Sequence, residues 1–191
     1  MKTRSFRADR LDIPAFTDDE GDLSGELTLA QLGRLRDGLH PDLPMDTLDL
    51  PVTWQIQGQT RPRPGGSSER WLHLQAHADV PLTCQRCLGR VDVPATLDRW
   101  FQFVDSEALA AELDADAEDD VLVSSRSFDL LELLEDELLL SLPLVPTHDS
   151  CPNPPQLQFE SEATDPLTPD ETPRHPFAAL AGLKKGPGDL G

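Results

Sequence analysis

Between Leu72 and Cys84 apolar side chains fall on the even positions Leu72, Leu74, Ala76, Ala78, Val80, Leu82 and Cys84, while His73, Gln75, His77 and Asp79 take odd ones. A period of two describes a strand with one buried face and one wet face. Past a short interruption the odd positions Val91, Val93, Ala95, Leu97, Phe101 and Phe103 repeat the pattern. The spacing predicts a long hairpin over residues 70–104, with Cys84 to Arg90 at its tip. The even side of the first strand and the odd side of the second then form one inner surface. Pro81 and Pro94 cannot donate to a ladder, so edge positions or bulges are expected there. Val52 to Ile56 alternates as a shorter strand. Gly58 to Ser68, with Arg61-Pro62-Arg63-Pro64-Gly65-Gly66, reads as a loop.

Two segments carry a helical period instead. Leu29, Leu32, Leu35 and Leu39 predict a helix over 28–39, capped by Thr28 and followed by Pro41. Over 129–141, Asp129 is a cap, Glu132 follows three residues later, and Phe128 can pack on Leu133 across the first turn. Leu130, Leu131, Leu134 and Leu138 point inward in this reading, and Glu132, Glu135 and Asp136 outward. Pro143 disfavours helical geometry at Leu142 and ends the helix. Residues 105–120 are acidic with no basic residue and read as a mobile loop. From Pro152 onward Pro, Glu, Asp and Thr dominate, which predicts disorder. An apolar island at 176–185 interrupts that tail. Its Phe177, Leu180 and Leu183 can share one face of a short helix, either as a docking segment for a partner's groove or as incidental apolar sequence. The expected architecture is α+β, with antiparallel β-meander hairpins packed by one main amphipathic helix. It forms one domain over 1–151, followed by a disordered acidic, Pro-rich tail over 152–191.

Charge changes the choice of partner. Sixteen Lys and Arg face 35 Asp and Glu, a formal net charge of −19 across 191 residues. Nucleic-acid affinity comes from neutralising phosphates with Lys and Arg. Broad RNA or DNA binding is therefore disfavoured, and a basic protein partner is favoured. The imbalance is greatest after residue 100, where 4 basic residues meet 20 acidic ones. No apolar run approaches the ~20 residues of a membrane span, and no leader pattern follows the N-terminal basic residues, so a cytoplasmic protein is expected.

All three cysteines lie in two short segments, Cys84-Gln85-Arg86-Cys87 and His148-Asp149-Ser150-Cys151. Each sets two soft or borderline ligands three positions apart, and Cys₃His is an ordinary tetrahedral set for structural zinc. The opposing reading is three reduced thiols, with Cys84 packed as a small hydrophobe. Redox chemistry of the thioredoxin kind needs a CxxC that opens a helix, whereas Gly89 and a second strand follow here. His73 and His77 lie roughly 13 Å apart along a strand at ~3.3 Å per residue, too far for one ion. Arg86 and Arg90 are candidate basic contacts, and Glu132, Glu135 and Asp136 are a candidate acidic face for a partner.

The blocks Cys84-Gln85-Arg86-Cys87-Leu88, Glu135-Asp136-Glu137-Leu138-Leu139-Leu140, Pro143-Leu144-Val145-Pro146 with His148, and Pro176-Phe177-Ala178-Ala179-Leu180 together resemble the YceD family of large ribosomal RNA subunit accumulation proteins. The resemblance spans about residues 50–151 and the tail island. It implies a non-catalytic factor for synthesis, processing or stability of 23S ribosomal RNA, and no enzymatic activity. A basic ribosomal protein or large-subunit assembly factor is then the expected partner, with RNA contact indirect or limited to Arg86 and Arg90. Some relatives carry a second cysteine pair where this chain has His148 and Cys151. The competing classes are an enzyme such as a nuclease or thiol oxidoreductase, for which neither a metal–carboxylate cluster nor a helix-opening CxxC is present in the sequence, and a regulatory protein that senses metal or redox state through its CxxC and HxxC segments.

Overall fold

The computed structural model describes residues 4–153, apart from 64, 66, 67, 116 and 118. The expected tail beyond residue 153, with the 176–185 island and its Phe177, Leu180 and Leu183, lies outside the described residues.

Five strands form one sheet in sequence order: β1 (Asp22–Thr28), β2 (Pro51–Arg61), β3 (Glu69–Thr83), β4 (Arg90–Val104) and β5 (Asp120–Val123). The first four run antiparallel, and β2, β3 and β4 make the expected meander. The fold is α+β, but the sheet is mixed. The acidic segment after β4 is not simply a loop, because it contains α3 (Glu107–Asp114), which carries the chain back so that β5 pairs with β4 in parallel. Ser106 caps α3 by accepting from Leu109 N–H, and Ala110 packs with Val104 and Val121. Small apolar residues at helical spacing outweigh the acidic composition there.

The β3–β4 register is the predicted one. Ala76 faces Leu97, Val80 faces Val93 and Leu82 faces Val91, so even side chains of β3 and odd side chains of β4 share a surface. That surface is buried under α1 (Ile13–Asp18) and α4 (Leu130–Ser141). Phe16, Leu74, Phe101, Leu130, Leu134 and Leu138 are almost wholly enclosed. Each such side chain stabilises the fold by roughly 1.5–3 kcal/mol relative to exposure. Asp129 caps α4 by accepting from the N–H groups of Leu131 and Glu132, and Leu142 is extended before Pro143.

Pro81 and Pro94 each have one edge without a neighbouring strand. Paired β2 ends opposite Ala78, so Pro81 lies in an overhang whose carbonyl accepts from His40 N–H at 2.9 Å. β5 joins β4 only from Phe101 onward, which leaves Pro94 on a free edge.

Two other expectations are corrected. The 28–39 helix is instead the end of β1, a 3-10 turn (Leu29–Gln31) and the short α2 (Gly33–Asp37), broken at the extended Leu32. Leu29, Leu32 and Leu35 are all buried by these two short turns, so burial does not require a continuous helix. The loop placed at 58–68 starts only after Arg61, because Gly58 to Arg61 pair with Leu72 to Glu69. Gly58 is a packing glycine: a Cβ there would stand 2.8 Å from both Phe16 Cδ1 and the Phe16 carbonyl oxygen.

Candidate metal centre

The β3–β4 hairpin ends in a tight knuckle. Cys84 N–H donates to Gly89 O and Leu88 N–H to Cys84 O, both at 2.9 Å, which turns the Cys84 and Cys87 side chains inward. The segment after α4 reaches this knuckle because Pro143 stops the helix and leaves the chain extended. Gln85 N–H donates to Pro146 O at 2.9 Å and fastens the two segments side by side. Cys84, Cys87, His148 and Cys151 thereby meet, with their ligand atoms all within 4.8 Å of one another.

The spacing fits a tetrahedral ion. Two sulfurs each about 2.3 Å from one zinc stand about 3.8 Å apart, and a sulfur and an imidazole nitrogen about 3.6 Å apart. Cys84 Sγ lies 3.8 Å from Cys151 Sγ, and Cys87 Sγ lies 3.4 Å from His148 Nδ1. His148 Nε2 lies 2.8 Å from the Arg90 carbonyl oxygen. A carbonyl only accepts, so Nε2 is the nitrogen that donates there, and Nδ1 faces the cysteines. Such an outer hydrogen bond fixes the orientation of a metal-ligating imidazole. Burial works to raise the Cys84 thiol. The N–H groups of Cys87, His148 and Arg86, with the Cys87 thiol, outweigh it and bring Cys84 down to about 5. Burial and the thiols of Cys87 and Cys84 push Cys151 up. Cys84 is enclosed, while Cys87 and Cys151 are half-buried. Four protein ligands would close the tetrahedron around a bound ion, the arrangement of structural rather than catalytic sites.

The candidate partner residues divide. Arg86 is exposed and has no ion-pair partner among the described residues. Arg90 Nε instead pairs with Asp92 at 2.8 Å. Glu132 is exposed on α4, but Glu135 and Asp136 are engaged within the fold. Glu135 accepts from the N–H groups of Arg34 and Leu35 at 2.7 and 3.1 Å, and Arg34 also pairs with Asp136. These bonds tie α2 to α4, so the pair is mainly structural rather than a wholly solvated acidic face. Glu137 departs further from a solvated face. It is buried, with Arg99 Nη1 3.6 Å away, and its α4 position near Leu134 and Leu138 was the only sequence signal for that. His73 lies on the polar face, bonded to Asp98 at 2.6 Å and stacked on Trp100 at 4.3 Å between ring centroids. No helix among the described residues is long and apolar enough to cross a membrane.

An α+β domain whose hairpin knuckle and C-terminal strap meet at a Cys₃His cluster defines the class: a small domain organised around a group of metal-ligating side chains. The chain belongs to the YceD family, described as large ribosomal RNA subunit accumulation protein YceD, whose pattern matches residues 72–184. The matched stretch contains the hairpin from Leu72 onward, α4 and all four cluster residues. No solved structure matches the chain.

Proposed function

We propose that this protein is a non-catalytic factor in synthesis, processing or stability of 23S ribosomal RNA, acting in the cytoplasm during large-subunit biogenesis through protein partners. The family match over residues 72–184 carries the reading. The net charge of −19 favours a basic ribosomal protein or assembly factor over extended RNA contact. Any direct RNA contact is local, with Arg86 the freer cation and Arg90 engaged by Asp92. In this reading Cys84, Cys87, His148 and Cys151 hold zinc, whose role when bound is to cross-link the knuckle to the strap.

Depletion of the protein tests the function directly. The expected result is a fall in 23S relative to 16S ribosomal RNA. Unchanged 23S on full depletion would overturn the proposal. A second reading, sensing of metal or redox state, is supported by the three thiols lying within 4.8 Å of one another. It requires depletion phenotypes that appear only on zinc limitation or oxidant exposure.

A further inference from the structure

The four cluster side chains divide into two facing pairs. Cys87 Sγ lies 3.4 Å from His148 Nδ1, and Cys84 Sγ lies 3.8 Å from Cys151 Sγ. Each pair joins the hairpin knuckle to the strap. The knuckle member of the second pair is fixed. Cys84 N–H donates to Gly89 O, and its own carbonyl accepts from Leu88 N–H, both at 2.9 Å. The strap member is held less firmly. Cys151 lies in neither helix nor strand, makes no backbone hydrogen bond among the described residues, and has exposed neighbours in Ser150 and Pro152. A disulfide sets its sulfurs about 2.05 Å apart, so this pair has roughly 1.8 Å to close, and Cys151 is the side free to move. Cys151 is also half-buried where Cys84 is enclosed, so an oxidant meets Cys151 first. Cys87 is half-buried too, but the group against it is an imidazole, which offers no second sulfur.

We propose that the site has two alternative cross-links. One is zinc held by all four residues. The other, formed on oxidation by a hydroperoxide, is a Cys84–Cys151 disulfide that expels the ion and keeps the strap on the knuckle. This rests on the reading of the cluster as a zinc site, and it names how that site responds to oxidant. The Cys151 sulfur attacks one oxygen of hydrogen peroxide, the O–O bond breaks and hydroxide leaves. The Cys84 sulfur then displaces a second hydroxide from that sulfur, and the S–S bond forms. The two sulfurs lose two electrons to the peroxide oxygens. The two hydroxides take up two protons, from the thiols or, where thiolates start on zinc, from solvent, and become two waters. The ion is left with Cys87 and His148, half of its ligand set, and departs. The Gln85–Pro146 and His148–Arg90 hydrogen bonds involve no sulfur and persist. A disulfide within the CxxC would do the opposite, since it would free the strap from the knuckle.

The test uses the full chain, zinc-loaded, with hydrogen peroxide as the oxidant. Elemental analysis before oxidation tests the metal reading by itself. On oxidation, zinc released to a chromogenic chelator is expected at about one per chain. Trypsin cuts at Arg86, between Cys84 and Cys87, and again at Arg90, so non-reducing peptide mapping tells the three possible pairs apart. The expected pair is Cys84 with Cys151. Hydrogen exchange over 143–151 should be as slow in the oxidised, zinc-free chain as in the zinc-loaded one, and about tenfold faster in the chelated, reduced chain. Cys87→Ser should form the same disulfide, and Cys151→Ser should form no link between knuckle and strap. A Cys84–Cys87 disulfide as the main product, a disulfide between chains, over-oxidised cysteines without a disulfide, or zinc retained through oxidation would each overturn the proposal. Depletion in cells separates it from the biogenesis role. Unchanged 23S RNA with a mapped Cys84–Cys151 pair removes that role and leaves the cross-link. A 23S deficit with a Cys84–Cys87 pair leaves the role and overturns the cross-link.

Discussion

His148 is held with Nε2 donating to the Arg90 carbonyl, and Cys84 is a buried thiol surrounded by N–H donors. The first leaves Nδ1 turned toward the cysteines, and the second favours the thiolate, the form of cysteine that binds zinc. Cys84→Ser should therefore drop bound zinc, measured by elemental analysis of untagged protein, from about one per chain to less than a quarter, in line with loss of a ligand from a four-ligand site. It should also lower stability by about 4 kcal/mol where free zinc stands at roughly 1,000 times Kd. His148→Cys should keep the metal, since it restores a Cys₄ set. Glu137 makes a different prediction. Burial raises its carboxyl, and Arg99 only partly opposes that. The folded state thus holds the proton more tightly than the unfolded chain, and stability falls as pH rises through the raised range. In urea titrations Glu137→Gln should gain on wild type between pH 4 and pH 7.5. A gap that does not change with pH would show that the ion pair with Arg99 fully offsets the burial.

At the scale of elements, close approaches decide where strands and helices go. β2 continues through Gly58 because α1 lies directly on it, with Phe16 filling the space where any side chain would stand. Gly58→Ala should destabilise by about 1–3 kcal/mol, the usual cost of overpacking, read as a lower denaturant midpoint with an unchanged m-value. The Phe16 carbonyl belongs to the backbone and cannot rotate away as a side-chain tip could. β1 shows why an edge strand hides in the sequence. Its burial alternates only between exposed and half-buried, and Gly25 sits where a Cβ would come within 2.6 Å of Trp54 Cζ2. With glycine at the packing position and a half-covered face, little apolar periodicity remains to be read.

Across the whole molecule, the sheet with α1 and α4 forms a continuous core, and the Cys₃His cluster stands at one end of it. Chelation should accordingly leave the far-ultraviolet circular dichroism nearly unchanged. Hydrogen exchange should rise over 143–151 and the hairpin tip, while β3 and α4 stay protected. Loss of protection throughout would show that the metal holds the entire fold. The sequence by itself determined the long hairpin, its register and α4, because one face of each is mostly buried and a period of two or 3.6 records that burial directly. It also determined the four ligand types and their pairing at three-residue spacing. Only the tertiary structure decided that the two pairs, 61 positions apart from Cys87 to His148, converge. That depends on α4 packing back across the sheet and on the Gln85–Pro146 hydrogen bond, neither of which leaves a local pattern. The parallel β5 and the buried Glu137 were hidden for the same reason: each is set by contacts between distant segments rather than by the residues beside it.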